Sequence, residues 1–333
     1  MSAPSGRIDP TSPEAADALA RAYRQLRAEI GKVIIGQEEA VEGLVVSLLC
    51  GGHALLVGVP GLAKTLLVRT LAQALDLDFN RIQFTPDLMP GDITGTEVIE
   101  EDPATGRREF RFAKGPIFAN EILADEVNRT PPKTLAALLA AMQEHRVTAA
   151  GETFRLDEPF FVLATQNPIE QEGTYPLPEA QLDRFMLNLW LDYPSFDDEV
   201  AVVKSTTGAK PEAVRPAISR EDLLAYQELV RAVPVGDSVV EHAVRLVSRT
   251  RPGREGTPDF ATEYLAYGAG PRASQYLVLG AKALALLEGR LTPLAEHVDR
   301  LAVPVLRHRI VTNFAADADG VTSVDVIRRL TER

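Results

Sequence analysis

The stretch HALLVGVPGLAKTLLVRTLAQAL, residues 53–75, decides how this chain is read. Ala54 to Val57 is an unbroken apolar run closed by Gly58. Periodicity alone cannot tell such a run from a buried helix, but it is too short for one, so it predicts a buried parallel strand. GVPGLAKT follows, Gly58 to Thr65, and then the helical pattern LLVRTLAQAL. Strand, glycine-rich loop, Lys-Thr and helix in this order form the context of a phosphate-cradling loop. Gly58 and Gly61 allow backbone N–H groups to turn inward at a helix N-terminus, where the dipole favours an anion. Lys64 is placed to reach the β- and γ-phosphates of a triphosphate, and the Thr65 hydroxyl to hold Mg²⁺. The usual pattern has glycine just before the lysine, where this chain has Ala63. A bare Gly/Pro turn with a surface lysine is the simpler alternative, and the flanking strand and helix speak against it.

Outward from this stretch, the same kind of apolar run recurs at Ile122 to Ala124, Phe160 to Ala164 and Phe185 to Leu191. Helical patterns lie between, the clearest placing Leu135, Leu138, Leu139 and Met142 on one face. Strands alternating with helices predict an α/β fold with a parallel sheet. EILADEVN puts Asp125 and Glu126 at the carboxyl edge of that sheet, where open α/β folds bind ligands. There Asp125 suits the Mg²⁺ shell and Glu126 the orientation of an attacking water. Asn167, in the QNP that ends FFVLAT, reaches the same edge, although an Asn-Pro turn explains it locally as well. PLPEAQLDRF offers Arg184 just before the last strand run, where a lone arginine is usually a solvated surface charge, and the arginine of GPR, Arg272, opens a long helical pattern from which it could reach back to the nucleotide.

Two hairpin signals interrupt the alternation, one turning at Asp102–Gly106 and one at Gly151. A helix capped by Ser12 is expected to run toward Ile30, behind a Ser/Pro-rich start, and another from Glu38 to Leu49. Beyond about Pro194 the strand runs stop and helical patterns take over, including Glu221 to Ala232, Val239 to Thr250 and Ala273 to Glu288. A domain boundary is expected near Tyr193–Ser195.

Composition bounds the possibilities. The 333 residues suit about two domains, and 45% hydrophobic with 25% charged residues is ordinary for a globular protein. A net charge of −12 argues against a surface that seeks polyanions throughout. The single Cys50 excludes an internal disulfide framework, and five scattered histidines predict no structural zinc. Gly43 to Ala63 is 21 residues without an Asp, Glu, Lys or Arg, long enough to span a bilayer, but it contains five glycines. It reads as a helix end, a strand and a loop. The first residues carry no basic-then-apolar signal pattern, so a cytoplasmic protein is expected.

GVPGLAKT, LADEVNR, ATQNP, LPEAQLDRF and GPRA, in this order and spacing, resemble the AAA+ ATPases. IGQEEAVE, QFTPDLMPGDITG and NRTPPKTLAALLAAMQEH resemble the MoxR family within them, whose loops also carry the alanine found at Ala63. The resemblance runs from about Val33 to Arg290. It implies an AAA+ P-loop NTPase core, a five-stranded parallel sheet flanked by helices, with an α-helical C-terminal lid. The expected division is a tail and helix over 1–32, the nucleotide-binding domain over 33–193 and the lid over 194–333. Hairpin inserts at about 96–115 and 146–157 look like those of the branch shared with magnesium chelatase and minichromosome-maintenance helicases.

Carried over residue by residue, the resemblance makes Gly58, Val59, Pro60, Gly61, Leu62, Ala63, Lys64 and Thr65 the Walker A loop around ATP. Asp125 and Glu126 become Walker B, with Mg²⁺ held through water by Thr65 and Asp125. Asn167 matches sensor 1, Arg184 the arginine finger with Arg129 as its rival, and Arg272 sensor 2. Val33, Ile34 and Gly36 match the segment beside the adenine, and Gln83 could restrain Glu126 as a glutamate switch. The implied function is ATP hydrolysis by a ring, usually a hexamer, acting as a chaperone that remodels, matures or metal-loads partners. Proteins with von Willebrand factor A domains are the implied partners. A nucleic-acid motor using Arg107, Arg108 and Arg111, a metal-chelatase motor subunit, and a non-enzymatic nucleotide-gated module are the alternatives. Nucleic acid is not the expected partner.

Overall fold

The structure, a computed structural model, describes residues 13–101, 108–169, 173–208 and 212–332. The Ser12 cap, the Asp102–Gly106 turn and Arg107 lie outside the described residues. Helices α1 (Pro13–Gly31) and α2 (Glu38–Leu49) lead into β1 (Ala54–Val57), and α3 (Lys64–Ala74) begins on the lysine of the glycine-rich loop. After β2 (Phe79–Gln83) and the short α4 (Pro90–Thr94) comes a hairpin of β3 (Gly95–Glu101) and β4 (Arg108–Lys114). Then follow β5 (Glu121–Asp125), α5 (Pro132–Glu144), a second hairpin of β6 (Arg146–Ala149) and β7 (Glu152–Arg155), β8 (Phe161–Gln166), α6 (Glu179–Leu182) and β9 (Leu187–Trp190).

Five strands form one sheet in the order β2-β5-β8-β1-β9, parallel throughout. Every residue of β1 and β5, and all of β8 but its last, is buried. Helices cover both faces, which is why these strands read as continuous apolar runs instead of alternating. The uncharged stretch before Lys64 is the end of α2, then β1 and the loop. β9 is shorter than the apolar run Phe185 to Leu191, because the Phe185 carbonyl is taken by Arg309 Nη2 at 2.6 Å and His308 Nε2 at 3.0 Å instead of a strand partner.

The remaining chain is α7 (Phe196–Thr207), α8 (Arg220–Ala232), α9 (Asp237–Ser248), α10 (Asp259–Tyr264), β10 (Leu265–Tyr267), α11 (Pro271–Leu287), α12 (Ala295–Leu306), β11 (Val311–Thr312), α13 (Phe314–Asp319) and α14 (Ser323–Thr331). Strands do not stop at Pro194 as expected: β10 and β11 pair antiparallel. Pieces of three and two residues are too short to leave a periodic signal. One apolar cluster joins this helical region to the sheet and takes in α1 through Leu19, Leu26 and Ile30. Gly280 of α11 marks a close approach, since a Cβ there would stand 2.6 Å from Leu301 Cδ1 and 3.2 Å from Met186 Cε. A second cluster fills the opposite face beneath α5.

The hairpins touch each other at their roots. Phe112 of β4 stacks on Phe154 of β7, with centroids 4.6 Å apart, and Phe118 meets both edge-on at 6.1 Å. Farther along, Ile99 and Phe110 stand opposite each other in register and are 63% and 75% exposed. Gly95 at the root has φ +99°, and a Cβ there would lie 2.3 Å from the Ala113 carbonyl oxygen.

Candidate active site

In the observed strand order β8 separates β1 from β5, so the loop after β1 and the acids ending β5 face each other across the end of β8. Between them lies a cavity of 460 Å³, lined by the loop from Pro60 to Leu66 together with Asp125, Glu126, Thr165 and Asn167. Ala63, the residue that departs from the usual glycine, has φ +55° and ψ +27°. The loop needs left-handed backbone at this step, which glycine adopts freely and alanine holds at a cost of about 1 kcal/mol. Lys64 begins α3, and its Nζ donates to the carbonyls of Gly58 at 2.5 Å and Val59 at 2.9 Å.

Asp125 is 6% exposed. Its Oδ1 accepts the Thr165 hydroxyl at 2.5 Å, and its Oδ2 accepts Arg81 Nε at 3.0 Å and Nη2 at 2.6 Å. Glu126 is held in left-handed backbone at φ +59°, ψ +49°, a strained conformation that tends to mark functional positions. Its N–H donates to Thr165 Oγ1 at 2.9 Å, so one hydroxyl orders both acids. Glu126 Oε2 accepts Gln83 Nε2 at 2.9 Å and Arg129 Nη1 at 3.1 Å, which places Arg129 on an acid of its own chain. Asn167 lines the cavity and also accepts the Ile169 N–H at 3.2 Å, so it serves the turn as well. Thr165 and Arg81 escaped the sequence reading. The available signal was strand alternation, with Arg81 and Gln83 on one face of β2 and Gln83 opposite Asp125.

Three sequence-marked groups lie elsewhere. Arg184 and Arg272 do not line the cavity. Arg272 Nη1 donates to Asp183 Oδ2 at 2.6 Å, and Arg309 Nε binds the other oxygen at 2.8 Å. Arg309 also binds the carbonyls of Phe185 and Met186, and the Met186 N–H donates to the His53 carbonyl just before β1. This cluster therefore sits at the amino end of the sheet, away from the phosphate loop at the carboxyl end. In this arrangement Arg272 is paired with Asp183 and does not line the cavity of its own chain. Val33, Ile34 and Gly36 lie at the α1–α2 junction. They do not line the cavity; the next residue, Gln37, donates from Nε2 to the Asp192 carbonyl at 3.2 Å, and the neighbouring Leu191 N–H donates to the Val57 carbonyl beside Gly58. Gly36 has φ +73°, and a Cβ there would fall 2.8 Å from the Asp198 carboxylate.

Thr65 and Asp125 offer a hydroxyl and a buried carboxylate on one cavity, a hard oxygen set that fits a magnesium ion. Among the described residues no group of three or more His, Cys, Asp or Glu could hold another metal, and no helix is long and apolar enough to cross a membrane.

Residues 53–187 match the ATPase family associated with various cellular activities (AAA), and residues 260–330 match the AAA lid domain. Chaperone MoxR1 of Mycobacterium tuberculosis is 43% identical over 91% of this chain and 79% of its own length. The uncharacterised protein YeaC of Bacillus subtilis is 41% identical over 90% of both chains. A candidate ATPase from Cytophaga hutchinsonii, known from its crystal structure, superposes with a TM-score of 0.88 at 42% identity over 95% of both chains. With the parallel sheet, the phosphate loop and the paired acids in place, the chain belongs to the MoxR family of AAA+ ATPases.

Proposed function

We propose that this protein binds ATP at the phosphate loop and hydrolyses it to ADP and phosphate. The observation that carries the reading is the convergence of Lys64, Thr65, Asp125, Glu126 and Asn167 on one 460 Å³ cavity. The loop N–H groups and the start of α3 bind the triphosphate, and Lys64 turns from its own carbonyls to the β- and γ-phosphates. A magnesium ion held through water by Thr65 and Asp125 supplies charge neutralisation on the phosphate oxygens. Glu126 orients and polarises the attacking water, and Asn167 holds the water or the γ-phosphate in line. Val33, Ile34 and Gly36 sit beside the adenine.

Arg184 and Arg272 complete the site of a neighbouring subunit in a ring, which we take to be a hexamer. What supports this is that neither lines the cavity of its own chain while both lie with Asp183. The natural division is a nucleotide-binding unit over 33–193, a lid over 194–333 and a leading helix within 1–32. Hydrolysis changes the lid angle and moves the hairpins against a client protein. The work is that of a cytoplasmic chaperone that remodels, matures or metal-loads partners, with a von Willebrand factor A domain protein as adaptor. The name of the Mycobacterium tuberculosis relative supports the chaperone role. Against a nucleic-acid motor, Arg108 and Arg111 on the first hairpin are each paired with an acid, Glu101 at 3.1 Å and Glu100 at 2.9 Å.

The test is a pair of variants. Glu126→Gln keeps ATP binding and loses hydrolysis by at least about 10²-fold, whereas Lys64→Ala loses both. Lys64→Ala with full ATPase activity overturns the site. Proteins that co-purify with ATP-loaded Glu126→Gln identify the client. An empty trap, combined with salt-sensitive stimulation by DNA, transfers the reading to a nucleic-acid motor.

A further inference from the structure

The side chains that hold Asp125 and Glu126 form one continuous chain of hydrogen bonds. Arg81 and Gln83 share a face of β2, and Gln83 stands opposite Asp125. Arg81 donates to Asp125 Oδ2 through Nε at 3.0 Å and Nη2 at 2.6 Å, and Nη2 also donates to Gln83 Oε1 at 2.6 Å. A guanidinium has donors only, so the Gln83 atom that faces it must be the oxygen. That leaves the amide nitrogen turned toward Glu126, where it donates to Oε2 at 2.9 Å. The grip of Gln83 on Glu126 is therefore decided two residues away, at Arg81.

We propose that Arg81 is a positioning residue that couples Asp125 to Glu126, so that a divalent cation arriving at Asp125 loosens the restraint on Glu126. The inference rests on the nucleotide-site reading above. Asp125 has both oxygens engaged, Oδ1 by Thr165 and Oδ2 by Arg81. A cation delivered with the nucleotide competes with the guanidinium for the same carboxylate and repels it as a like charge. Arg81 is the partner able to withdraw, its side chain being 48% exposed against 9% for Asp125. Once it leaves, Gln83 Oε1 loses its donor, the amide is free to rotate, and Glu126 is released from one of its two holds. Arg129 keeps the other, at 3.1 Å, so the effect is a shift in balance. Before metal arrives Glu126 is held back, which links readiness of the water-orienting carboxylate to occupancy of the metal position.

The test measures metal binding as well as turnover. Full-length wild type, Arg81→Gln and Arg81→Lys are saturated with mant-ADP, and Mn²⁺ affinity is read from the electron paramagnetic resonance of free Mn²⁺. Arg81→Gln is expected to bind Mn²⁺ about tenfold more tightly, a usual size for coupled sites, and Arg81→Lys, with its charge restored, stays within about twofold of wild type. Gln83→Ala is expected to change turnover in the wild-type background and to have no further effect in the Arg81→Gln background. Unchanged Mn²⁺ affinity in Arg81→Gln, or an equal Gln83→Ala effect in both backgrounds, overturns the coupling while leaving the nucleotide site standing. Wild-type protein that binds no mant-ADP overturns the nucleotide reading and the coupling with it.

Discussion

Arg272 donates to Asp183 at 2.6 Å, and this ion pair pins the first turn of α11 beside Arg184 at the amino end of β9. Two arginines marked in the sequence for contact with phosphate thus stand together, outside the cavity that their own chain builds. This placement is what supports the proposal above that they serve a neighbouring subunit's site.

Arg184→Ala is therefore expected to lower ATP hydrolysis by about 10³-fold or more, the scale of trans-acting arginines, with nucleotide affinity nearly unchanged. Mixing it with Glu126→Gln subunits should restore part of the activity. In a mixed ring some junctions pair an intact Glu126 with an intact Arg184 from the neighbour. Mixed rings as inactive as either parent would remove Arg184 from that role.

Asp183 also binds two arginines of very different burial. Arg309 has a side chain 1% exposed, binds Asp183 Oδ1 at 2.8 Å, and donates to the carbonyls of Phe185 at 2.6 Å and Met186 at 3.1 Å. Removing it takes a buried charged donor from Asp183 Oδ1 and from the Phe185 and Met186 carbonyls and leaves a cavity, although Arg272 still holds Asp183 Oδ2 and His308 the Phe185 carbonyl, so Arg309→Ala is expected to cost about 3 kcal/mol of stability. Arg272 is 39% exposed and its pair is screened by solvent, so Arg272→Ala should cost no more than about 1 kcal/mol. Urea unfolding distinguishes them, and equal losses would contradict the assignment.

Glu121, at the opposite end of β5 from Asp125, is fully buried, and both carboxyl oxygens lack a hydrogen-bond partner. Burial pushes its carboxyl well above the ordinary carboxylate range. The folded state therefore holds a proton that the unfolded state releases above about pH 4.5. Its contribution is present below that pH and is lost as pH rises toward the folded-state value. Glu121→Gln removes the titration, so its stability relative to wild type should climb between pH 5 and pH 8, by up to about 1.4 kcal/mol per pH unit. Denaturation curves at those pH values provide the check. A difference that does not vary with pH would show that Glu121 titrates normally.

Much of this was legible in one dimension. The strand before Gly58 and the helix after Thr65 are local patterns, and a loop between them that ends in Lys-Thr has few uses other than phosphate. The acids Asp125 and Glu126 could be placed at the carboxyl edge because an apolar run leads straight into them. The departure at Ala63 was visible as well. That it stands where the backbone turns left-handed became clear from its φ of +55°.

The rest depended on register and on long-range anchoring, which no local pattern encodes. Arg81 looks like any surface arginine until β2 is laid beside β5, and Thr165 looks like a strand residue until β8 falls between the loop and the acids. β10 and β11 exist only because two distant segments of three and two residues meet. Arg272 opens its helix as GPR suggests, yet where that helix points is decided by Asp183 and Arg309, 89 and 37 residues away in opposite directions along the chain. By itself the sequence determined the fold class, the phosphate loop and the acidic pair, because each rests on residues adjacent in the chain. Only the tertiary structure decided which side chains restrain those acids and where Arg184 and Arg272 stand relative to the cavity, because those depend on strands and helices meeting across long separations.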